Sequence, residues 1–512
     1  MFLINPSINA AFFSRLAPPL PRRGGRGVRR TFAQLLVVSL ITIFTGCQSV
    51  APPVITPRAT ATPSTFASTA TPTTTDTLTL AKLPWRRFFG DSALVTLIDT
   101  ALHANPDLLV AVQRVEIARA GLLAARGALL PSASVGAVAG FDRFADYAAQ
   151  GQTSTNDGRE LPNGVPNFSL GLQSAWEIDL WGKLRNRRQA AFARVLASEQ
   201  GRRLVQTALI AQVASLYYEL LTYDNQLAVL GKNRALQERA VEIVKLQKLG
   251  GRATELAVQQ FTAQLLRTRS LEIEARQRIA ATENTLNRLL GRYPQPIRRG
   301  LPLNLQQLPA QVAAGLPTTM LLRRPDVQQA ELELVASRAD VAAARAAFLP
   351  SLTLGPYIGL NAYSPALLFQ TPGSLAFGLL GGLSAPLLNR SLFRADYRRS
   401  AAQQRAAYWS YQKAVQTGFE EVTTNLNGLE NYRRVADLRQ QEVAALTRAV
   451  DVSNDLYRAN YANYLEVVTA QRSVLDAELI LTDTRRQQFL LLIDLYRALG
   501  GGWDAQPTAD VR

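Results

Sequence analysis

The chain repeats itself, and that repeat limits what it can fold into more than any other feature. Asn105-Pro106-Asp107 returns 219 residues later as Arg324-Pro325-Asp326. At the same offset ARAGLLAARGALLPS (118–132) matches SRADVAAARAAFLPS (337–351), with Arg119, Ala120, Ala125, Arg126, Ala128, Leu130, Pro131 and Ser132 each reproduced. Further on the offset falls to 209: Gly251–Val258 faces Asn460–Val467, and Leu290-Gly291 faces Leu499-Gly500. The ten extra residues of the first copy lie between 132 and 251, most naturally in the polar run DRFADYAAQGQTSTNDGRELPNG (142–164). Two copies of one structural plan follow.

Proline placement says what each copy contains. None of the 26 prolines falls in 167–293 or in 387–506. Proline inside a helix costs about 3 kcal/mol, so both tracts predict very long helices. Leu209, Val213, Leu216, Leu220, Leu227 and Leu230 recur at helical spacing, with charged and amide residues opposite them. A helix over 184–249 would be roughly 100 Å long. Leu249-Gly250-Gly251 breaks it, and Thr254-Glu255 opens the return with an N-cap. Asn460 stands where the second copy should turn; Gly and Asn best tolerate a left-handed helix end. The reading is two helical hairpins, with heptads too irregular for a filamentous coiled coil.

Between the helices the pattern changes to alternation. Phe168, Leu170, Leu172, Trp176, Ile178 and Leu180 alternate with Asn167, Ser169, Gln173, Glu177 and Asp179. Segments 132–141, 351–361 and 374–384 alternate in the same way. About ten residues of alternation, apolar out and polar in, is the pattern of a transmembrane barrel strand. Outside the leader no stretch has the roughly 18 apolar residues of a spanning helix, so any membrane crossing falls to strands. Four strands cannot close a barrel, which takes about eight, and open edges are not tolerated in lipid. The barrel must be shared between chains.

The N-terminus reads as an export leader. Arg29-Arg30 precede AQLLVVSLITIFT (33–45) and Gly46-Cys47, a basic segment, an apolar core and a small residue before a cut site. A cysteine after the cut resembles the bacterial lipoprotein signal, although Phe44 stands where that pattern prefers Leu. An ordinary signal with an incidental Cys47 and a twin-arginine route are the alternatives. Gln48 in place of Asp implies outer-membrane sorting. Residues 48–79, rich in Pro, Thr, Ala and Ser, read as a tether. Translation is expected to begin at Val28, which leaves a signal of ordinary length; a precursor peptide from upstream of 28 would refute this.

The net charge of +17 includes six arginines within 1–46, where there is no acid. The remaining Lys and Arg are interspersed with acids and amides on helical patterns, which describes solvated faces and no nucleic-acid surface. The single Cys excludes an internal disulfide, and with a single His (His103) no zinc-like cluster can form. No nucleophile motif accompanies His103, so no enzyme is expected.

Several stretches together resemble the TolC/OprM family of outer-membrane efflux channels, in its NodT-type lipoprotein branch. They are Trp85–Asp91 (WRRFFGD), the AL-x-x-NPDL around Asn105, the LLPS and FLPS strand entries, WEIDLWGKLR (176–185) and YANYLEVVTAQR (461–472). The resemblance spans about residues 80–503. It implies a mixed α/β membrane protein, a homotrimer whose chains each give four strands to one outer-membrane barrel. Their long helices would form a periplasmic helical barrel, belted by segments near 80–100, 294–323 and the C-terminus. The implied partners are a periplasmic adaptor, an inner-membrane pump (usually proton-driven) and outer-membrane lipid, with no cofactor beyond a covalent lipid on Cys47. In similar channels a Leu, an Asp and an Arg at the second hairpin tip narrow the tunnel. Here Leu465 and Arg472 match and Thr469 takes the acidic position, which leaves Glu466, a backbone carbonyl or nothing firm as the acceptor for Arg472. Gly250, Gly251, Thr254, Asn460 and Tyr464 are the expected hairpin-tip and adaptor-contact residues.

The expected division is a signal region 1–46, a tether 47–79, a first repeat 80–300, a second repeat 301–503 and a tail 504–512. Strands are expected near 132–142 and 166–180, then near 351–362 and 374–386, with helical hairpins over 183–291 and 390–500. The expected function is a passive exit duct for small molecules handed on by the pump. A type I protein-secretion channel and a lipid-anchored periplasmic scaffold of coiled helices are the alternatives.

Overall fold

The structure, a computed structural model, describes residues 83–143, 165–307, 317–386, 390–459 and 461–503. The leader, Cys47, the tether, Asn460 and the tail lie outside these residues. Each repeat opens with a short helix ahead of its Pro-Asp: α1 is Ser92–Ala104 and α2 is Pro106–Gly127. Asn105 caps α2 by accepting from the Leu108 amide, and Pro106 takes the first turn, where its missing N–H costs nothing. Strands β1 (Ser132–Asp142) and β2 (Val165–Ile178) follow, then helices α3 (Lys183–Leu249) and α4 (Glu255–Leu289). The second repeat gives α5 (Pro325–Ala346), β3 (Ser351–Ala362), β4 (Leu375–Ser384), α6 (Ser391–Arg458) and α7 (Tyr464–Ala498). The strand connection runs over 143–164 in the first repeat and 363–374 in the second, so the ten extra residues fall there.

At 67 residues, α3 is about 100 Å long. Its middle is apolar enough to pass for a membrane span, but half of that window is packed inside the protein. Leu209, Val213, Tyr217 and Leu220 there form the main core with Leu94, Ile98, Leu286, Ile493 and Leu495. Around this level the connecting segments are tied down by polar contacts. The Tyr217 hydroxyl donates to Asp91 at 2.7 Å, and Gly300 N–H donates to that hydroxyl at 2.8 Å. Tyr496 donates to the Leu83 carbonyl and stacks on Phe88. The WRRFFGD stretch thus packs at mid-hairpin.

The two repeats close in the same way. Each return helix ends in a left-handed glycine, Gly291 (φ 66°) or Gly500 (φ 81°), whose N–H and that of its successor satisfy the last carbonyls. A Cβ on Gly291 would lie 2.2 Å from the Ala104 carbonyl oxygen, and one on Gly500 would lie 2.8 Å from the Arg323 carbonyl carbon. Only glycine lets these chains approach so closely.

The sheet is an antiparallel meander in the order β1-β2-β3-β4. WEIDLWGKLR is the joint between sheet and helix. Asp179 accepts from the Leu184 and Arg185 amides, which caps α3 behind Gly182 (φ 79°). The Trp176 and Trp181 indoles donate to the carbonyls of Leu129 and Pro350, fastening both strand entries to this joint.

Candidate functional site

Two regions stand out: the sheet, and the far ends of the hairpins. Cross-strand partners share a face, so the registers sort the strands into two surfaces. One surface carries rows such as Val135–Leu172–Ile358–Phe377 and Ala137–Leu170–Leu360–Leu375. All four side chains of the first row are more than half exposed. The opposite surface carries Gly136–Gly171–Gly359–Ala376 and Ser134–Gln173–Tyr357–Gly378, with a groove of about 190 Å³ over the small residues. Apart from Glu177 at one end, the described residues of this polar surface carry no charge. The sheet is therefore apolar on one exposed face and neutral-polar on the other, with unpaired edges at β1 and β4.

At the first tip, α3 ends at Leu249, Gly250 is the C-cap and Gly251 (φ 73°) turns the chain. Thr254 caps α4, its hydroxyl accepting from the Ala257 amide. At the second tip the cap is Asn463, whose carbonyl oxygen accepts from the Leu465 and Glu466 amides. The repeat offset of 209 carries Thr254 onto Asn463, so the signal was present in the sequence. Tyr464 is half-buried: with Tyr457 and Val468 it packs on the cluster of Val241, Val244, Ala257, Phe261 and Val467. Its ring thus joins the two hairpins. The Tyr457 hydroxyl also donates to Gln247 at 2.7 Å.

Leu465, Glu466, Thr469 and Arg472 lie on the exposed side of α7, opposite buried Val467 and Val474. Within this chain Arg472 also meets an acid outside the set expected for it. Its Nε lies 3.7 Å from Asp476, one helical turn further on, and Arg267 of α4 approaches the same carboxylate at 3.5 Å. Asp476 belongs to none of the matched stretches, and only its spacing, seven residues past Thr469 on the same helix face, marked it.

The Outer membrane efflux protein family profile matches residues 97–292 and 316–501, one segment for each repeat, begun and ended at the offsets the repeated motifs give. The chain belongs to this family. The pyoverdine export outer membrane protein OpmQ of Pseudomonas aeruginosa is 32% identical over 429 residues, 82% of this chain and 88% of that protein. The probable outer membrane lipoprotein SilC of Salmonella typhimurium is 28% identical over 92% of this chain and 99% of its own length. Among solved structures, a membrane protein from Pseudomonas aeruginosa matches with a TM-score of 0.80 at 28% identity, covering 91% of this chain and all of that one. The open state of the Neisseria gonorrhoeae MtrE outer membrane channel matches with a TM-score of 0.76 at 26% identity, over 89% and 98% of the two chains. The protein is an outer-membrane efflux protein, similar along most of its length to solved outer-membrane channels. Among the described residues no His, Cys, Asp and Glu group could hold a metal.

Proposed function

We propose that three copies of this chain close one barrel in the outer membrane and one helical tunnel beneath it, forming the passive exit duct of a drug or small-molecule efflux system. The single observation that carries this is the sheet, four strands with two open edges and a predominantly apolar exposed face. A single copy leaves both edges unpaired, which lipid does not allow. Three copies supply enough strands for an outer-membrane barrel, put the apolar rows against lipid and turn the neutral rows inward. A periplasmic adaptor engages the hairpin ends around Gly250, Gly251, Thr254 and Tyr464, and a proton-driven inner-membrane pump chooses the cargo. Cys47 carries the lipid and strengthens anchoring, at about 0.8 kcal/mol per buried CH₂, while the strand band holds the membrane by itself.

Two experiments test this reading. Cys47→Ser should lose lipid labelling and still yield detergent-requiring trimers; a variant recovered wholly in the aqueous phase would remove the barrel. At the constriction Leu465→Ala should raise the open fraction of reconstituted channels, and Thr469→Asp should make the current more cation-selective. If neither changes conductance or selectivity, the duct is not lined by this face of α7.

A further inference from the structure

Where the return helices α4 and α7 end against the middle of α3, a cavity of about 470 Å³ opens. Tyr217 of α3 faces the connecting segments through Asp91 and Gly300. Ala208 and Ser215, which line the cavity, project from the other side of that helix. Leu216 and Leu289 give the cavity an apolar wall, and Arg288, Asp494 and Arg497 bring charge to it. The duplication leaves these charges unequally satisfied. The offset of 209 carries Arg288 onto Arg497 and Gln212 onto Glu421. In the second repeat the arginine is held: Arg497 lies 3.1 Å from Glu421 and 3.8 Å from Asp494. In the first, neutral Gln212 stands where that acid would be and also lines the cavity. The exposed Arg288 side chain makes no ion pair or hydrogen bond among the described residues.

We propose that this cavity binds small organic anions, the anionic group on Arg288 and the hydrocarbon body against Leu216 and Leu289. Its volume is that of a site for a drug-sized molecule, and such sites pair an apolar wall with a few placed polar groups. A guanidinium with five donors and no acid of its own is the group that a sulfonate or carboxylate meets best. Arg497 adds positive potential, although Glu421 already occupies part of its fork. Asp494 opposes a second negative charge, so the site suits a monoanion better than a dianion. In a closed duct whose belt lies outside, the cavity faces the bore, and each copy holds one such site partway along the exit path. That placement rests on the duct reading above; the binding itself does not.

The test is isothermal titration of the full-length protein, in an uncharged detergent, with naphthalenesulfonate and with naphthylmethylammonium as its cationic counterpart. Wild type should bind the sulfonate more tightly than the ammonium, and added salt should weaken the sulfonate alone. Arg288→Gln should weaken the sulfonate about fivefold, the upper end for an exposed charge pair. Gln212→Glu, which gives Arg288 the acid that its counterpart has, should weaken it as much, while Asp494→Asn should strengthen it. Equal affinity for the two probes would overturn the site, as would sulfonate binding unmoved by both Arg288→Gln and Gln212→Glu. Loss of thermal stability in Arg288→Gln with binding unchanged would assign the guanidinium to the protein's own packing and also overturn it. Each of these results, in a protein that conducts in planar bilayers, leaves the duct reading standing. A protein that conducts nothing and still binds the sulfonate through Arg288 would overturn the duct and keep the site.

Discussion

The two repeats share a backbone plan and fasten it with different chemistry. In the first, neutral Asn105 donates to the Leu289 carbonyl at 2.8 Å and binds the start of α2 to the end of α4. In the second, the equivalent Arg324 donates to the Ala498 carbonyl at 2.9 Å, and its guanidinium also pairs with Asp326 and Glu421. Burial works against that charge, yet the two carboxylates raise the Arg324 pKa above its ordinary value. The tips differ likewise. A threonine caps one return helix and an asparagine the other, with one amide bound at the first and two at the second. The difference teaches that the duplication preserved the places where backbone groups must be satisfied, while the side chains that satisfy them diverged.

The sharpest way to break this comparison is to remove both anchors. Arg324→Ala leaves two carboxylates without their shared partner and should cost about 3–5 kcal/mol. Asn105→Ala should cost only about 1–2 kcal/mol, the scale of a lost cap. Thermal unfolding of the detergent-solubilised protein would measure both, and equal losses would mean that the charge network adds nothing. Gly291→Ala and Gly500→Ala force a side chain into a left-handed turn against a neighbouring backbone, and each should cost about 1–3 kcal/mol. The larger loss should fall at Gly291, where the approach is closer; the reverse order would show that the first repeat relaxes more easily. At the tips, Thr254→Ala and Asn463→Ala should each cost about 1 kcal/mol. Asn463 should matter more, which protease nicking of the hairpin ends can read.

The smallest effect belongs to Asp494 in α7, which has no acidic counterpart at Thr285 in α4. Burial, helped by Glu421 and opposed by Arg497, raises its pKa above the ordinary 3.8. A raised carboxyl pKa means that the fold holds the proton more tightly than the unfolded chain does, so this residue's contribution falls as pH rises through that window. Asp494→Asn should accordingly be slightly more stable than wild type at neutral pH, and the gain should vanish below about pH 4. Melting curves across that range decide it; a gain that persists in acid would assign the effect to packing.

The sequence by itself determined the long helices, their breaks and the alternating strands. These follow from local rules: proline exclusion, glycine at a left-handed turn, and period-two patterning with one face in an apolar medium. It also marked Leu465, Glu466, Thr469 and Arg472 as one helix face, because helical spacing alone sets that. What it could not give was partnership across distance. The Thr254 cap was legible in its own few residues, whereas Asn463 needed the repeat offset, and Asp476 needed Arg267, which is more than two hundred residues away in the chain. The cross-strand rows that leave one face apolar and the other uncharged likewise depend on register between repeats. Only the tertiary structure decided these, since an ion pair or a strand register is set by which helices and strands lie side by side, and nothing local encodes that neighbour.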